Sequence, residues 1–256
     1  MKSFKDQIIL LTGATGGLGR VMATEFLSLG ARLILSDFNR DSLEKMKMDL
    51  SRKDILGIEQ ADLSSSEDTD RLVKQVCDTY GCPDVLVNNA GIAVIGKFLD
   101  TPREKWESLI EINLLAPMRL TYGFLPLMLK RRSGTIVNVS SVAGLVATPG
   151  LNAYSTSKFG IKAFGEALHR EYEKDGIDVT NLYPFFTRTP ILESEQFGLD
   201  TKKQVPDFIL SEPEDVVRDL ISGMKHRELH IYPGMISRSL DFVSRIFPGF
   251  LNGISP

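Results

Sequence analysis

Residues 8–30 constrain the fold more than any other stretch. Ile8-Ile9-Leu10-Leu11-Thr12 is a short apolar run without polar alternation, the pattern of a strand covered on both faces. Gly13-Ala14-Thr15-Gly16-Gly17-Leu18-Gly19 follows at once. Val21, Met22, Phe26 and Leu27 then recur at helical spacing as far as Gly30. A buried strand that enters a helix through a glycine-rich turn is the first half of a parallel β-α-β unit. The turn also brings backbone amides and a helix N-terminus to one point, where a pyrophosphate can sit. Its spacing is T-G-x-x-x-G-x-G, not the commoner G-x-G-x-x-G.

The rest of the chain repeats that alternation. Strands are expected at Arg32–Ser36, Gly57–Gln60, Val85–Val87, Thr135–Ser140, Val179–Tyr183 and, briefly, His230–Tyr232. Between them run helical patterns. One is capped by Ser65 or Ser66 and stopped by Gly81, and one opens on a capping box at Thr101-Pro102-Arg103-Glu104. Another opens on Ser211-Glu212-Pro213-Glu214. The helix after residue 150 carries Phe159, Ala163, Ala167, Leu168 and Tyr172 as its expected core face. With no linker and no internal repeat, the fold class is α/β: one doubly wound, Rossmann-type domain over 1–256. Its mainly parallel seven-stranded sheet should have helices on both faces. Residues 1–135 form mainly a cofactor half, 136–234 a catalytic and substrate half, and 235–256 an amphipathic tail.

In such a sheet ligands bind beyond the C-terminal strand ends, where the glycine turn, Asp37, Asn88 and Ser141 all fall. Tyr154 and Lys158, four positions apart on a helix, share one face. An ammonium beside a phenol favours the phenolate and suits Tyr154 to exchange a proton with an alcohol or ketone oxygen. Ser141, on the loop leading into that helix, can polarise the same oxygen. Asp37, at the end of the second strand, can accept hydrogen bonds from both adenosine ribose hydroxyls and would repel a 2′-phosphate. The alternative is a turn or cap for the helix beginning near Arg40. Thr15 and Gly16 carry no positive charge, which points to NAD, with NADP left open by Arg40. Asn113, in the apolar Ile112-Asn113-Leu114-Leu115-Ala116-Pro117, needs polar partners.

Composition removes other classes. A net charge of −3 gives no reason to expect a nucleic-acid partner, and the basic run Lys130-Arg131-Arg132 fits a helix C-terminus. Cys77 and Cys82 form neither a zinc pattern nor a disulfide framework, so no metal and a reducing, cytoplasmic setting are expected. No segment approaches the roughly 20 apolar residues of a membrane span.

With these residues in view, the chain resembles the short-chain dehydrogenase/reductase family over nearly its full length. The matches are Thr12-Gly13-x-x-x-Gly17-x-Gly19, Asp62, Asn88-Asn89-Ala90-Gly91, Asn113, Ser141, Tyr154-x-x-x-Lys158 and the segment from Pro184 to Thr189. The resemblance implies that Gly13, Gly17 and Gly19 shape the cofactor turn and that Asp62 sits by the adenine. Asn89 and Gly91 would support the sheet and border the ribose. Thr15, Leu18, Leu63, Ala90, Pro184 and Thr187 would line the rest of the dinucleotide, and Thr189 would contact the nicotinamide carboxamide. Lys158 would bond the nicotinamide ribose, and Asn113 would hold a water linking Lys158 to solvent. The reaction implied is hydride transfer between the nicotinamide and a carbon bearing a hydroxyl or carbonyl, with Tyr154 as acid/base. The resemblance also implies a homodimer or homotetramer, through the helices around Asn113 and Tyr154. One departure stands out: Phe185 occupies the place of the usual glycine after Pro184, which is expected to reshape and narrow the pocket.

Ser141, Tyr154, Ala143, Phe185, Phe186 and Leu192 are the expected substrate contacts. Their apolar neighbours suit a hydrophobic secondary alcohol or ketone, of steroid-, retinoid- or lipid-like kind. An NADPH-dependent reductase of 3-oxoacyl chains on a carrier protein is the alternative, and a non-catalytic dinucleotide-binding regulator is the rival of another class. In the tail, Ile236, Leu240, Val243, Phe247 and Phe250 fall on one helical stripe, with Arg238 and Arg245 elsewhere. Packing on the fold or on a second subunit is the expected use of that stripe, ahead of a membrane surface.

Overall fold

The computed structural model describes residues 3–50, 53–198 and 205–246. In chain order the strands are β1 (Ile8–Thr12), β2 (Arg32–Asp37), β3 (Ile55–Gln60), β4 (Val85–Asn88), β5 (Ile95–Gly96), β6 (Gly134–Val139), β7 (Ile177–Leu182), β8 (Gln196–Phe197) and β9 (His230–Ile231). The helices are α1 (Gly17–Ser28), α2 (Arg40–Leu50), α3 (Ser66–Tyr80), α4 (Arg103–Ile110), α5 (Ala116–Lys130), α6 (Asn152–Tyr172), α7 (Pro213–His226) and α8 (Gly234–Ile246). Seven strands form one parallel sheet in the order β3-β2-β1-β4-β6-β7-β9. The order reverses between β1 and β4, the switch point at which a doubly wound sheet opens a crevice. β5 and β8 pair separately and tie the chain after β4 to the segment before residue 198.

Alternate residues of the central strands feed opposite faces, as the period of a pleated strand requires. Ile9 and Leu11 join Met22 and Phe26 of α1, Leu43 of α2 and Leu220 of α7 on one side. Leu10, between them, joins Leu72 of α3, Phe124 of α5 and Leu168 of α6 on the other. The stretch Arg103–Lys130 is long and apolar enough by composition to cross a membrane, contrary to the hydropathy reading of the sequence. Here it serves the core, burying Leu109, Leu120, Phe124 and Met128.

Several local expectations hold. Ser65 caps α3 by accepting from the Asp68 amide, and Gly81 ends it at φ 82. Others fail for physical reasons. Pro102 takes the N-cap position of α4, and the Thr101 hydroxyl donates instead to the Lys97 carbonyl, so that capping box does not form. Ser211 is likewise no cap, because Glu212 holds the N-cap of α7 and its carboxylate binds Arg188. The α6 core face holds at Leu168 and Tyr172 but is misplaced in the first turns, where Ser157, Lys158, Ile161 and Gly165 point inward. Phe159, Ala163 and Ala167 are exposed.

Polar groups also cross the core. Asn88, Asn138 and Asn181 lie in register on β4, β6 and β7, and all three are buried. Asn88 donates to Asn138 (3.0 Å), Asn138 to Asn181 (3.1 Å), and Asn181 to the Lys162 carbonyl on α6 (3.3 Å). α6 approaches this ladder at Gly165, where an added Cβ would stand 2.1 Å from the Asn181 Oδ1. Gly165→Ala is expected to destabilise the protein by about 1–3 kcal/mol through overpacking, read as a lowered denaturant midpoint. An unchanged midpoint would show that α6 can move off the ladder.

Candidate active site

The glycine turn is held from two sides. Thr12, at the end of β1, donates its hydroxyl to the Val87 carbonyl and accepts from the amides of Asn89 and Ala90. Asn89 returns the contact, donating its side-chain amide to the carbonyls of Thr12 (2.9 Å) and Gly13 (3.0 Å). Gly13 sits at φ 61, where an L side chain is strained, and a Cβ there would stand 2.6 Å from the Ala90 Cα. Asn89 thus clasps β1 to β4 across the switch point.

The α1 N-terminus fits an anionic ligand. Its N-cap, Gly16, makes no side-chain cap, and the first turn has no acidic residue, so amides and dipole remain for a phosphate. Asp37, buried at the end of β2, already accepts from the Thr15 amide (3.0 Å) and hydroxyl (2.7 Å) through Oδ2. It anchors the turn, and its weak contact with the Asn39 amide (3.5 Å) leaves Oδ1 lightly used. Arg40 is occupied elsewhere, by Glu44 and the Ile58 carbonyl. Arg20, which sequence reading passed over, donates to the Thr15 carbonyl (2.9 Å) and puts a cation at the turn. Asp62 caps its own turn by accepting from the Ser64 amide and hydroxyl, and Leu63 beside it is buried.

Asn113 lies in a π-helical segment, Glu111–Leu115, between α4 and α5. Sequence periodicity gave no sign of this widened turn, a feature frequent at functional sites. The side chain is buried and fully engaged. It accepts from the Ile92 amide, donates to the Ile92 carbonyl, and donates to the Ser157 hydroxyl. Gly91 faces the same point: a Cβ there would stand 3.2 Å from the Asn113 Oδ1 and 3.6 Å from the Lys158 Nζ.

Ser141 precedes a short 3₁₀ turn, Val142–Gly144, and its hydroxyl accepts from the Ala143 amide (3.1 Å). This loop sits tightly on α6. Ser140 donates to the Lys158 carbonyl (2.9 Å), and a Cβ on Gly144 would stand 2.5 Å from that same oxygen. Ser157 supports the other side, donating to the Tyr154 carbonyl (2.7 Å). Ser140 and Ser157 escaped the sequence reading, though both flank expected site residues.

The geometry corrects one electrostatic expectation. The Lys158 ammonium is buried and donates to the Val139 carbonyl (2.9 Å), with Nζ 5.5 Å from the Tyr154 ring centroid. Burial raises the Tyr154 pKa, opposed by a hydrogen bond with Ser141, and lowers that of Lys158 to about 8. Desolvation is the larger effect on the phenol, so in the ligand-free protein its pKa lies above the ordinary value.

After β7 the chain runs Pro184 to Thr189 beside this loop, and the Val142 amide donates to the Pro184 carbonyl (3.1 Å). Phe185 keeps a negative φ, so its replacement of the usual glycine carries no left-handed strain. Its ring meets Phe186 edge-on at 4.7 Å. Thr187 is buried and donates to the Phe185 carbonyl, while Thr189 packs against Gly17, where a Cβ would stand 2.5 Å from its Cγ2. The turn before α1 and the segment after β7 therefore meet. Ala143 is buried and Leu192 half-buried near these loops.

Fold and site define a dinucleotide-binding α/β protein with a Ser-Tyr-Lys centre at the crevice. The family description "short chain dehydrogenase" matches residues 7–198. Epidermal retinol dehydrogenase 2 of Mus musculus is 33% identical over 254 residues, covering 96% of this chain and 80% of the mouse protein. A short-chain dehydrogenase from Sphingobium yanoikuyae in complex with NADPH superposes with a TM-score of 0.82 at 27% identity, over 97% of this chain and 96% of that one. One from Burkholderia phymatum in complex with NAD gives 0.84 at 22% identity, over 100% and 98%, a likeness of fold. The chain belongs to the short-chain dehydrogenase family of oxidoreductases.

The buried Lys158 makes stability depend on pH. Its pKa is about 8 when folded, against the ordinary 10.5 of an exposed lysine, so between these values the unfolded chain binds more protons. This group's contribution therefore becomes more favourable as pH rises through that window. Relative to Lys158→Met, the wild type should gain roughly 2 kcal/mol from pH 8 to 10 in denaturant titrations. A flat difference would mean an unshifted lysine.

Proposed function

We propose that the chain is an NAD(H)-linked oxidoreductase acting on a hydrophobic secondary alcohol or its ketone, of steroid-, retinoid- or lipid-like kind. The observation that carries this reading is the Tyr154–Lys158 pair on one face of α6, with the ammonium 5.5 Å from the phenol ring centroid and Ser141 on the loop that Ser140 holds against Lys158. The first-turn amides of α1 would hold a pyrophosphate, Asp37 the adenosine ribose, and Pro184, Thr187 and Thr189 the nicotinamide end. Bound there, a nicotinamide dinucleotide supplies the hydride donor or acceptor. Tyr154, protonated in the free protein, is ready to give its proton to a carbonyl oxygen that Ser141 polarises. Oxidation needs the reverse: Tyr154 must first lose its proton, and Lys158 is the nearby cation that can stabilise the phenolate.

NAD is favoured because Asp37 ends β2 and Arg40 is held by Glu44. Arg20 at the glycine turn and the NADPH-bound relative from Sphingobium yanoikuyae favour NADPH, and with it the 3-oxoacyl reductase reading. The apolar character of Ala143, Leu192, Phe185 and Phe186, together with a retinol dehydrogenase among the relatives, supports the hydrophobic substrate. Met118 and Tyr122 on α5 and Phe159 on α6 expose apolar surface that a second copy of the chain would cover. Sedimentation velocity should give a dimer that Tyr122→Glu dissociates; a wild-type monomer would sink this assignment.

Titration with NADH and NADPH, followed by a screen of hydrophobic alcohols, tests the rest. The wild type should bind NADH at least about tenfold more tightly, since a carboxylate repels a 2′-phosphate. Tyr154→Phe should bind dinucleotide as the wild type does and lose at least about 100-fold in kcat. Near-normal kcat in that variant would remove Tyr154 from proton transfer, and tighter NADPH binding would move the reductase reading forward.

A further inference from the structure

α8 is seated inside out. Among its described side chains the fully buried one is Ser237, whose hydroxyl has no partner. Asp241, one turn further on, is half-buried. By contrast Met235 is 83% exposed, Phe242 61% and Ile236 44%. At 100° per residue Met235 and Phe242 lie about 20° apart on the helix and Ile236 about 100° round, while Ser237 falls roughly opposite Met235. A helix held by its apolar stripe would show the reverse. The expectation that the stripe packs on the fold therefore fails for Ile236, and Leu240 is only half-buried. The side chain of Val243 and the residues Phe247 and Phe250 lie outside the description.

We propose that α8 docks this protein onto an anionic phospholipid bilayer, with Met235, Ile236 and Phe242 entering the interfacial layer. Charge separates this occupant from the others. Asp241 is the sole acid in residues 234–256, and it is half-buried. Arg238 is exposed beside the apolar arc, its Nε donating to the Tyr232 carbonyl (3.2 Å), and Arg245 follows seven residues later in the sequence. The outward surface is thus apolar and cationic, the combination that interfacial helices present to acidic lipids. A two-fold contact between two α8 helices would bring like charges together with a single half-buried acid on each helix to pair them. α8 also packs against the turn Val142–Gly144 that follows Ser141, so docking would bring the catalytic loop to the lipid surface. The inference stands on the seating of α8 and does not depend on the substrate reading.

Flotation of the full chain with phosphatidylcholine vesicles, with and without phosphatidylglycerol, tests it. The wild type should float with the phosphatidylglycerol vesicles. Ile236→Glu/Phe242→Glu should cut the bound fraction at least about tenfold, with an unchanged thermal melt because both side chains are exposed. Arg238→Gln should weaken binding to the anionic vesicles roughly fivefold. Met235→Glu gives a second, independent reading of the same face. The proposal is overturned if the wild type does not float, or if the double variant floats as well as the wild type. It is equally overturned if the double variant breaks a self-association of the wild type that never binds vesicles.

Discussion

A lysine 5% exposed has to be held by something, because an unpaired buried ammonium costs several kcal/mol. Lys158 donates to the carbonyl of Val139, the last residue of β6, and so ties α6 to the strand that leads into Ser141. Two further contacts reinforce the junction. Ser140 donates to the Lys158 carbonyl, and the glycine at 144 lets the loop lie directly against that carbonyl. Ser141 and Tyr154 are consequently positioned by one buried interface between a loop and a helix. The lowered pKa of Lys158 shows that the interface compensates only part of the desolvation, which leaves the ammonium responsive to any new negative charge beside it. A phenolate at Tyr154 would be such a charge.

The second half of the crevice depends on a different bond set, centred on Thr12 and Asn89. Their reciprocal bonds lock the two strand ends where the sheet order reverses. Asp37 then holds Thr15 from the next strand over, so the glycine turn is fixed by both of its strand neighbours. Such a turn is organised before any ligand arrives. Preorganisation of this kind lowers the ordering cost of binding. Asp37 spends Oδ2 on the turn and leaves Oδ1 lightly used, which is the atom the proposed ribose contact would take.

Much of this was legible in the chain because it is local. The apolar run of β1, the glycine turn, the Ser65 cap and the Gly81 stop are each written in a few neighbouring residues. So were the ends of β4 and β6 that lead into Asn89 and Ser141. What stayed hidden is set by tertiary contact. The inward face of α6 is chosen by the Asn138–Asn181 ladder and the Ser140 loop, which favour small and polar residues, so Phe159 is turned outward. The π segment at Asn113 has no sequence period of its own, and it keeps the amide on the Ile92 backbone. Pro102 displaced Thr101 from the cap by taking that position itself.

Phe185 and α8 are the two places where local rules and the fold disagree, and they resolve differently. At Phe185 the disagreement vanishes: the backbone takes an ordinary negative φ, and the ring adds apolar surface against Phe186. At α8 it persists, because a helix with a wide apolar arc is seated on Ser237. Natural sequences are locally consistent where only folding is at stake, and lasting inconsistencies concentrate where a surface has another task. The apolar side chains of α8 stabilise little in the isolated molecule. Their contribution comes when something removes them from water, and the outward arginine beside them favours an anionic surface for that step.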